Sequence, residues 1–243
     1  MDYTIRYGLE FNPFLKNSKE IFVSTDESKE VLFRLDYLAK TKGFDLLTGS
    51  PGRGKTTAIR AWRQELNNSQ YKVVYTCFST FSPNDFYRDL AAESGAQSHY
   101  RKPDIKLLFN FEMDSGDRAV VLLSGLPPLN ATLRPSVHEP LRQRIIMNYE
   151  ILAFTKEEER SYILEKLQGA GAARAIFEDA ALEALLNASD GTPRVINNLC
   201  NSCLLIGDSR KSDMITAEIV MQAINNNEIW QQKQGNLLLL HFL

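Results

Sequence analysis

Between Asp26 and Lys40 apolar residues recur at helical spacing, and from Phe44 to Thr48 the chain turns to a short, mainly apolar run. The first pattern predicts a helix and the second a buried strand. Ile59, Trp62 and Leu66 then return to helical spacing until Asn67-Asn68-Ser69 stops the run. Lys72 to Cys77 reads as a second buried strand, followed by a helix for which Ser82 is the cap, Pro83 the first turn and Phe86 and Leu90 one face. Another helical stretch begins near Asp104. Val120 to Ser124 predicts a third strand, and Ile145 to Ile151 a fourth after a helix-like stretch ending in Leu141-Arg142-Gln143-Arg144. Strands separated by helical patterns imply an α/β fold, a parallel sheet with helices on both faces.

From Thr155 onward the patterns are helical only. Thr155-Lys156-Glu157-Glu158 has the form of a capping box opening a helix to about Gln168, and Phe177 to Ala188 is a second amphipathic helix. Gly191-Thr192-Pro193-Arg194 starts a third, with Pro193 in the first turn, and Ala217 to Asn225 forms a fourth. The expected division is therefore an α/β domain over residues 1–153, a small helical bundle over 154–227 and an apolar tail over 228–243. The tail, with Leu237-Leu238-Leu239-Leu240 and a final Phe242-Leu243, is too short to span a bilayer, which takes about 20 residues. The opening segment Tyr7-Gly8-Leu9-Glu10-Phe11-Asn12-Pro13-Phe14 either packs against the domain edge or lines one side of a nucleotide-base pocket.

Composition narrows the classes without choosing among them. With 243 residues, 44% hydrophobic and 24% charged, the chain is long enough for a substantial core. A formal net charge of −2 gives no global basic field, so nucleic-acid binding would need a local patch such as Arg101, Lys102 and Lys106 beside Tyr100. The opening residues Met1-Asp2-Tyr3-Thr4-Ile5-Arg6 lack the apolar core of a signal peptide, so a cytoplasmic location without a membrane span is expected. The three cysteines, Cys77, Cys200 and Cys203, lack a second ligand pair for a metal and read as reduced, buried thiols.

The chemistry is concentrated after the first strand. Gly49-Ser50-Pro51-Gly52-Arg53-Gly54-Lys55-Thr56 matches the phosphate-loop pattern G-x-x-x-x-G-K-[ST] at each fixed position, with Thr57 next to it. Such glycines let backbone N–H groups turn toward phosphate oxygens, Lys55 adds a charge for the outer phosphates, and the Thr56 hydroxyl is the candidate magnesium ligand. ATP and Mg2+ are the expected ligands.

A phosphate-loop α/β domain followed by a helical bundle resembles the AAA+ ATPases, in particular the ExeA-like and TnsC-type transposition-regulator branch. The resemblance covers about residues 5 to 225 and rests on several runs. These are Tyr7-Gly8-Leu9 with Asn12-Pro13-Phe14, the loop from Leu46 to Thr57, Phe109-Asn110-Phe111-Glu112-Met113-Asp114, Ser124-Gly125-Leu126-Pro127, Glu139-Pro140-Leu141-Arg142-Gln143-Arg144-Ile145 and Gly191-Thr192-Pro193-Arg194-Val195-Ile196-Asn197-Asn198. It implies that Ser124 is the sensor-1 residue, that Arg194 is sensor 2 on the first turn of a lid helix, and that Arg142 or Arg144 is an arginine finger for a neighbouring subunit. It also implies assembly into a ring or filament, with DNA and a transposase as partners.

One part of the family pattern is missing from the sequence. An apolar strand ending in Asp-Glu, the Walker B element, would hold the magnesium ion and polarise the attacking water. In relatives the Asn-Phe-Glu-Met-Asp-like run follows that strand and its helix, whereas here it follows Lys102-Pro103-Asp104-Ile105-Lys106 almost at once. The chain therefore reads as shortened by one strand around residues 104 to 106, and Glu112, Asp114 and Asp45 are poorly placed to substitute. The expectation is an ATP-binding assembly protein with slow or absent hydrolysis. The alternatives are a non-catalytic scaffold or degenerate subunit, and a small-molecule kinase, against which the helical bundle argues.

Overall fold

The structure, a computed structural model, describes residues 3–75 and 120–227. The described residues of Asp26–Pro51 and Lys55–Ile151 form one unit; those of Met1–Thr25, Gly52–Gly54 and Leu152–Leu243 form another.

The first unit is built on a parallel sheet. β1 (Gly43–Gly49) lies between β2 (Val120–Gly125) and β3 (Ile145–Ile151), giving the order β2-β1-β3. Leu47 of β1 pairs with Ser124 and with Tyr149, and Thr48 with Gly125 and Glu150, so all three carboxyl ends lie at the same end of the sheet. Side chains alternate across a strand. Leu47 enters a cluster with Val31, Leu35 and Ala39 of α1 (Asp26–Thr41, preceded by a short helix Tyr3–Tyr7) and with Ala58 and Trp62 of α2 (Lys55–Glu65). Thr48 on the opposite face accepts from Asn130 Nδ2 at 3.4 Å, and Asn148 donates to Asn130 at 3.1 Å. These contacts place helices on one face and the short Pro128–Thr132 turn of helix on the other.

Asp45 shares the face of Leu47 and is 1% exposed; its carboxylate accepts from the Leu46 amide at 2.7 Å. Burial pushes its pKa up, opposed by that hydrogen bond and by the charge of Arg34. Arg34 in turn stacks over the Tyr149 ring at 4.3 Å, which ties α1 to β3.

The second unit is helical: α3 (Lys156–Gly169), α4 (Asp179–Ser189), α5 (Pro193–Ser209) and α6 (Ala217–Asn226). The capping box at Thr155 and Glu158 forms as expected. Leu185, Ile196, Leu204, Ile215 and Ile219 are the centre of its core. The opening segment belongs here too: Tyr7, Leu9 and Phe14 are buried among these helices, and Asn12 Nδ2 donates to Asn201 at 2.7 Å. Of the two roles open to that segment, packing is the one these three side chains adopt.

Two expectations need correction. Lys72 to Tyr75 is not a strand, and Tyr75 is 59% exposed. A strand needs a ladder partner, and these four residues pair with none of the three described strands. Phe177 does not open a helix; it forms a parallel bridge with Ile215, and α4 starts two residues later. The expectations for Cys77, for the helix after Ser82, for Tyr100, Arg101, Lys102 and Lys106, for Glu112 and Asp114, for the shortening near 104–106 and for the tail all lie outside the described residues.

Candidate functional site

The loop from Gly49 to Lys55 leaves the carboxyl end of the central strand and runs directly into α2. Open α/β sheets place ligands at the carboxyl ends of their strands. Gly52 has φ +84, and a Cβ there would lie 2.7 Å from the Cβ of Arg194, so no other residue fits without displacement. Lys55 folds back over the loop, its Nζ donating to the Gly49 carbonyl at 2.6 Å and to the Ser50 carbonyl at 3.0 Å. Because α2 begins at Lys55, the amides of Thr56 and Thr57 belong to a first turn that has no partners inside the helix. An ammonium held against the carbonyls of a glycine-bearing loop, next in sequence to an exposed Thr56, is a donor set that fits a phosphate-bearing nucleotide with its magnesium ion.

Ser124 ends the strand beside the loop strand and is exposed. Arg142 and Arg144 lie just before β3, at the amino end of the sheet. Seven residues of strand rise by about 20 Å, so neither arginine is brought to its own chain's loop. Arg142 pairs with Glu139 and donates to the Arg134 carbonyl at 2.8 Å.

The tip of the loop, Gly52–Gly54, packs within the helical unit. α4 ends in two successive left-handed residues, Asp190 (φ 48) and Gly191 (φ 62), and Thr192 and Pro193 then start α5. This turn delivers Arg194, whose amide donates to the Gly52 carbonyl at 3.3 Å. Arg53 Nη1 donates to the Gly191 carbonyl at 3.0 Å and to the Asp190 carbonyl at 3.4 Å. The sequence marks Arg53 only as a loop residue; the turn as its partner emerges from the structure alone. Glu159 is a second residue that the motifs do not mark. It is 1% exposed and accepts from Ser189 Oγ at 2.7 Å.

Elsewhere, Cys200 and Cys203 are free and buried, and burial raises both thiol pKa values, that of Cys203 to about 12. Among the described residues no cluster of His, Cys, Asp or Glu could hold a metal ion, and no helix is long and apolar enough to cross a membrane.

Residues 38–124 match the AAA_22 family, described as an AAA domain. The chain is similar to General secretion pathway protein A of Aeromonas hydrophila, 29% identical over 278 aligned positions that cover 94% of this chain and 50% of the relative. It thus spans about half the length of that protein. In fold it is similar to the Thermotoga maritima RuvB Holliday junction branch migration motor, with a TM-score of 0.60, 22% identity, and 86% of this chain and 71% of that one covered. The Aeropyrum pernix ORC2 protein, solved as ADPNP and ADP complexes, gives a TM-score of 0.64 at 14% identity, with 88% and 71% covered. The fold is that of the phosphate-loop NTPases, and the family match to an AAA domain is confined to residues 38–124.

Proposed function

We propose that this chain binds MgATP at the 49–57 loop, assembles with copies of itself into a ring or filament in response, and hydrolyses the nucleotide slowly or not at all. The observation that carries the reading is Lys55, held against the Gly49 and Ser50 carbonyls at the carboxyl end of the central strand. In this reading the loop amides and Lys55 bind the phosphates, and Thr56 holds the magnesium ion, which supplies charge neutralisation between phosphate oxygens. Ser124, one strand away, faces the outer phosphate, and Arg194 reports on it from the first turn of α5. Arg142 or Arg144, remote from its own loop, serves the loop of a neighbouring copy.

Impaired hydrolysis follows from the missing Asp-Glu strand. Its support comes from the sequence between Gly95 and Val120, too short for a further strand and helix, which take about 30 residues. The stretch aligned with General secretion pathway protein A adds to this. It runs 278 positions against a chain of 243 residues, so at least 35 of its positions, at places the alignment length does not fix, have no counterpart in this chain.

That similarity favours an ExeA-like role in the cytoplasm, where ATP is available, over regulation of DNA transposition with a transposase as partner. The two separate in one experiment. Sedimentation velocity of the full chain with and without MgATP should show ATP-dependent assembly, lost in Lys55→Ala, and no shift of a DNA duplex in a gel at physiological salt. Assembly that ignores nucleotide contradicts the proposal and favours the non-catalytic scaffold; an ATP-dependent, salt-sensitive DNA shift moves the role to transposition.

A further inference from the structure

Glu159 lies on the inward stripe of α3 with Tyr162, Ile163, Lys166 and Leu167, and nothing in the nucleotide chemistry above uses it. Carboxylates are rarely this buried unless their charge is compensated. Here the compensation is the hydrogen bond from Ser189 Oγ at 2.7 Å, with Lys156 adding charge from the same helix and Asp190 opposing it. That hydrogen bond goes to the last residue of α4, where the turn begins.

The carbonyl of Gly191, two residues on in that turn, is held from elsewhere. It accepts from the Phe154 amide and from Arg53 Nη1, each at 3.0 Å. Three residues on, the Arg194 amide donates to the Gly52 carbonyl, so loop tip and turn meet at a second point. A side chain at 191 is excluded as well, because its Cβ would lie 2.4 Å from the Phe154 carbonyl oxygen. The turn is thus held through the Ser189 hydroxyl and the Gly191 carbonyl, with no room for a side chain at 191.

We propose that Arg53 and Glu159 are paired positioning residues that grip the turn ending α4, Arg53 by the Gly191 carbonyl and Glu159 by the Ser189 hydroxyl, so that the phosphate-loop tip and the turn carrying Arg194 move as one piece. The use of this linkage rests on the loop being a nucleotide site; the linkage itself is independent of any ligand. Arg53 acts at the loop and Glu159 acts through the turn, so loosening either one loosens the other's segment.

Hydrogen–deuterium exchange on the full chain without nucleotide tests the linkage. Arg53→Ala should speed exchange in peptides covering 186–196, and Glu159→Ala should speed it in peptides covering 49–57. The double variant should exceed neither single one. Glu159→Gln, which keeps a carbonyl acceptor, should stay within about twofold of the parent at both places. Binding of a fluorescent ATP analogue with magnesium is the second readout. Each alanine variant should weaken it about three- to tenfold, with the double variant no weaker than the worse single one. Exchange that rises only beside each substitution, with binding losses that multiply, overturns the proposal. If Glu159→Ala does not fold, Arg53→Ala decides alone: unchanged exchange over 186–196 overturns it. If the parent binds no analogue while the exchange effects remain coupled, the linkage stands and the nucleotide reading falls.

Discussion

At position 191 the backbone leaves no choice of residue. Gly191→Ala puts a Cβ against Phe154 at a left-handed φ, which should cost about 1–3 kcal/mol in urea unfolding, with the larger loss in the turn than in the sheet. Glu159 makes a pH prediction. Burial raises its pKa above the ordinary 4.5, with the Ser189 hydrogen bond opposing. A raised carboxyl pKa means that the folded state holds the proton more tightly, so its contribution to stability is complete below pH 4.5 and is lost as pH rises through the folded value. Glu159→Gln removes this loss. Its stability relative to the parent should therefore climb as pH rises above 4.5 and through the raised folded value in parallel denaturation series, and a constant difference would remove burial as the cause. Some of this is legible in the sequence. Positions 159, 162, 163, 166 and 167 follow the helical stripe, so Glu159 and Lys166 stand where apolar residues belong. The run Glu157-Glu158-Glu159 hides it, because three acids at a helix start read as a solvated first turn. No local pattern could pair Arg53 with Asp190 and Gly191, which lie 137 and 138 residues away in sequence.

At the scale of elements, strong periodicity and explicit stop signals carry the reading. The helix over Asp26–Thr41, the three strands and the capped helix at Lys156–Gly169 fall within a residue or two of their expected bounds; all but Ile145–Ile151, which its β-branched and aromatic run marks alone, have a cap or a glycine at an end. Thr155→Ala breaks the capping box and should lower stability by about 1 kcal/mol, while Leu185→Ala, fully buried in the helical core, should lower it by about 2–5 kcal/mol. Chemical denaturation of both variants checks the ratio; equal losses would mean that the core around Leu185 relaxes into the gap. Lys72 to Tyr75 fails as a strand because β-type composition supplies no ladder partner, and pairing is decided by residues far away in the chain. Phe177 misleads in the opposite sense: its apolar side chain fits a helical face, but its backbone is used by Ile215.

Across the whole molecule, the α/β character and the loop at the carboxyl end of the sheet are readable because a parallel fold repeats a simple alternation of patterns. The packing of Tyr7, Leu9 and Phe14 with helices far along the chain is not, since aromatic residues near a proline state only that something must cover them. The position of the loop is the most legible part, as it follows from the strand before it. The central claim is that the chain binds MgATP through Lys55 and barely hydrolyses it. One sample of purified full-length chain tests it by equilibrium binding of fluorescent ATP with magnesium and by phosphate release, each against Lys55→Ala. The account predicts saturable binding that Lys55→Ala abolishes, with phosphate release at the level of that variant. Release at the rate of an ordinary ATPase, about 1 per second or faster and lost in Lys55→Ala, would contradict it and mean that another carboxylate polarises the water.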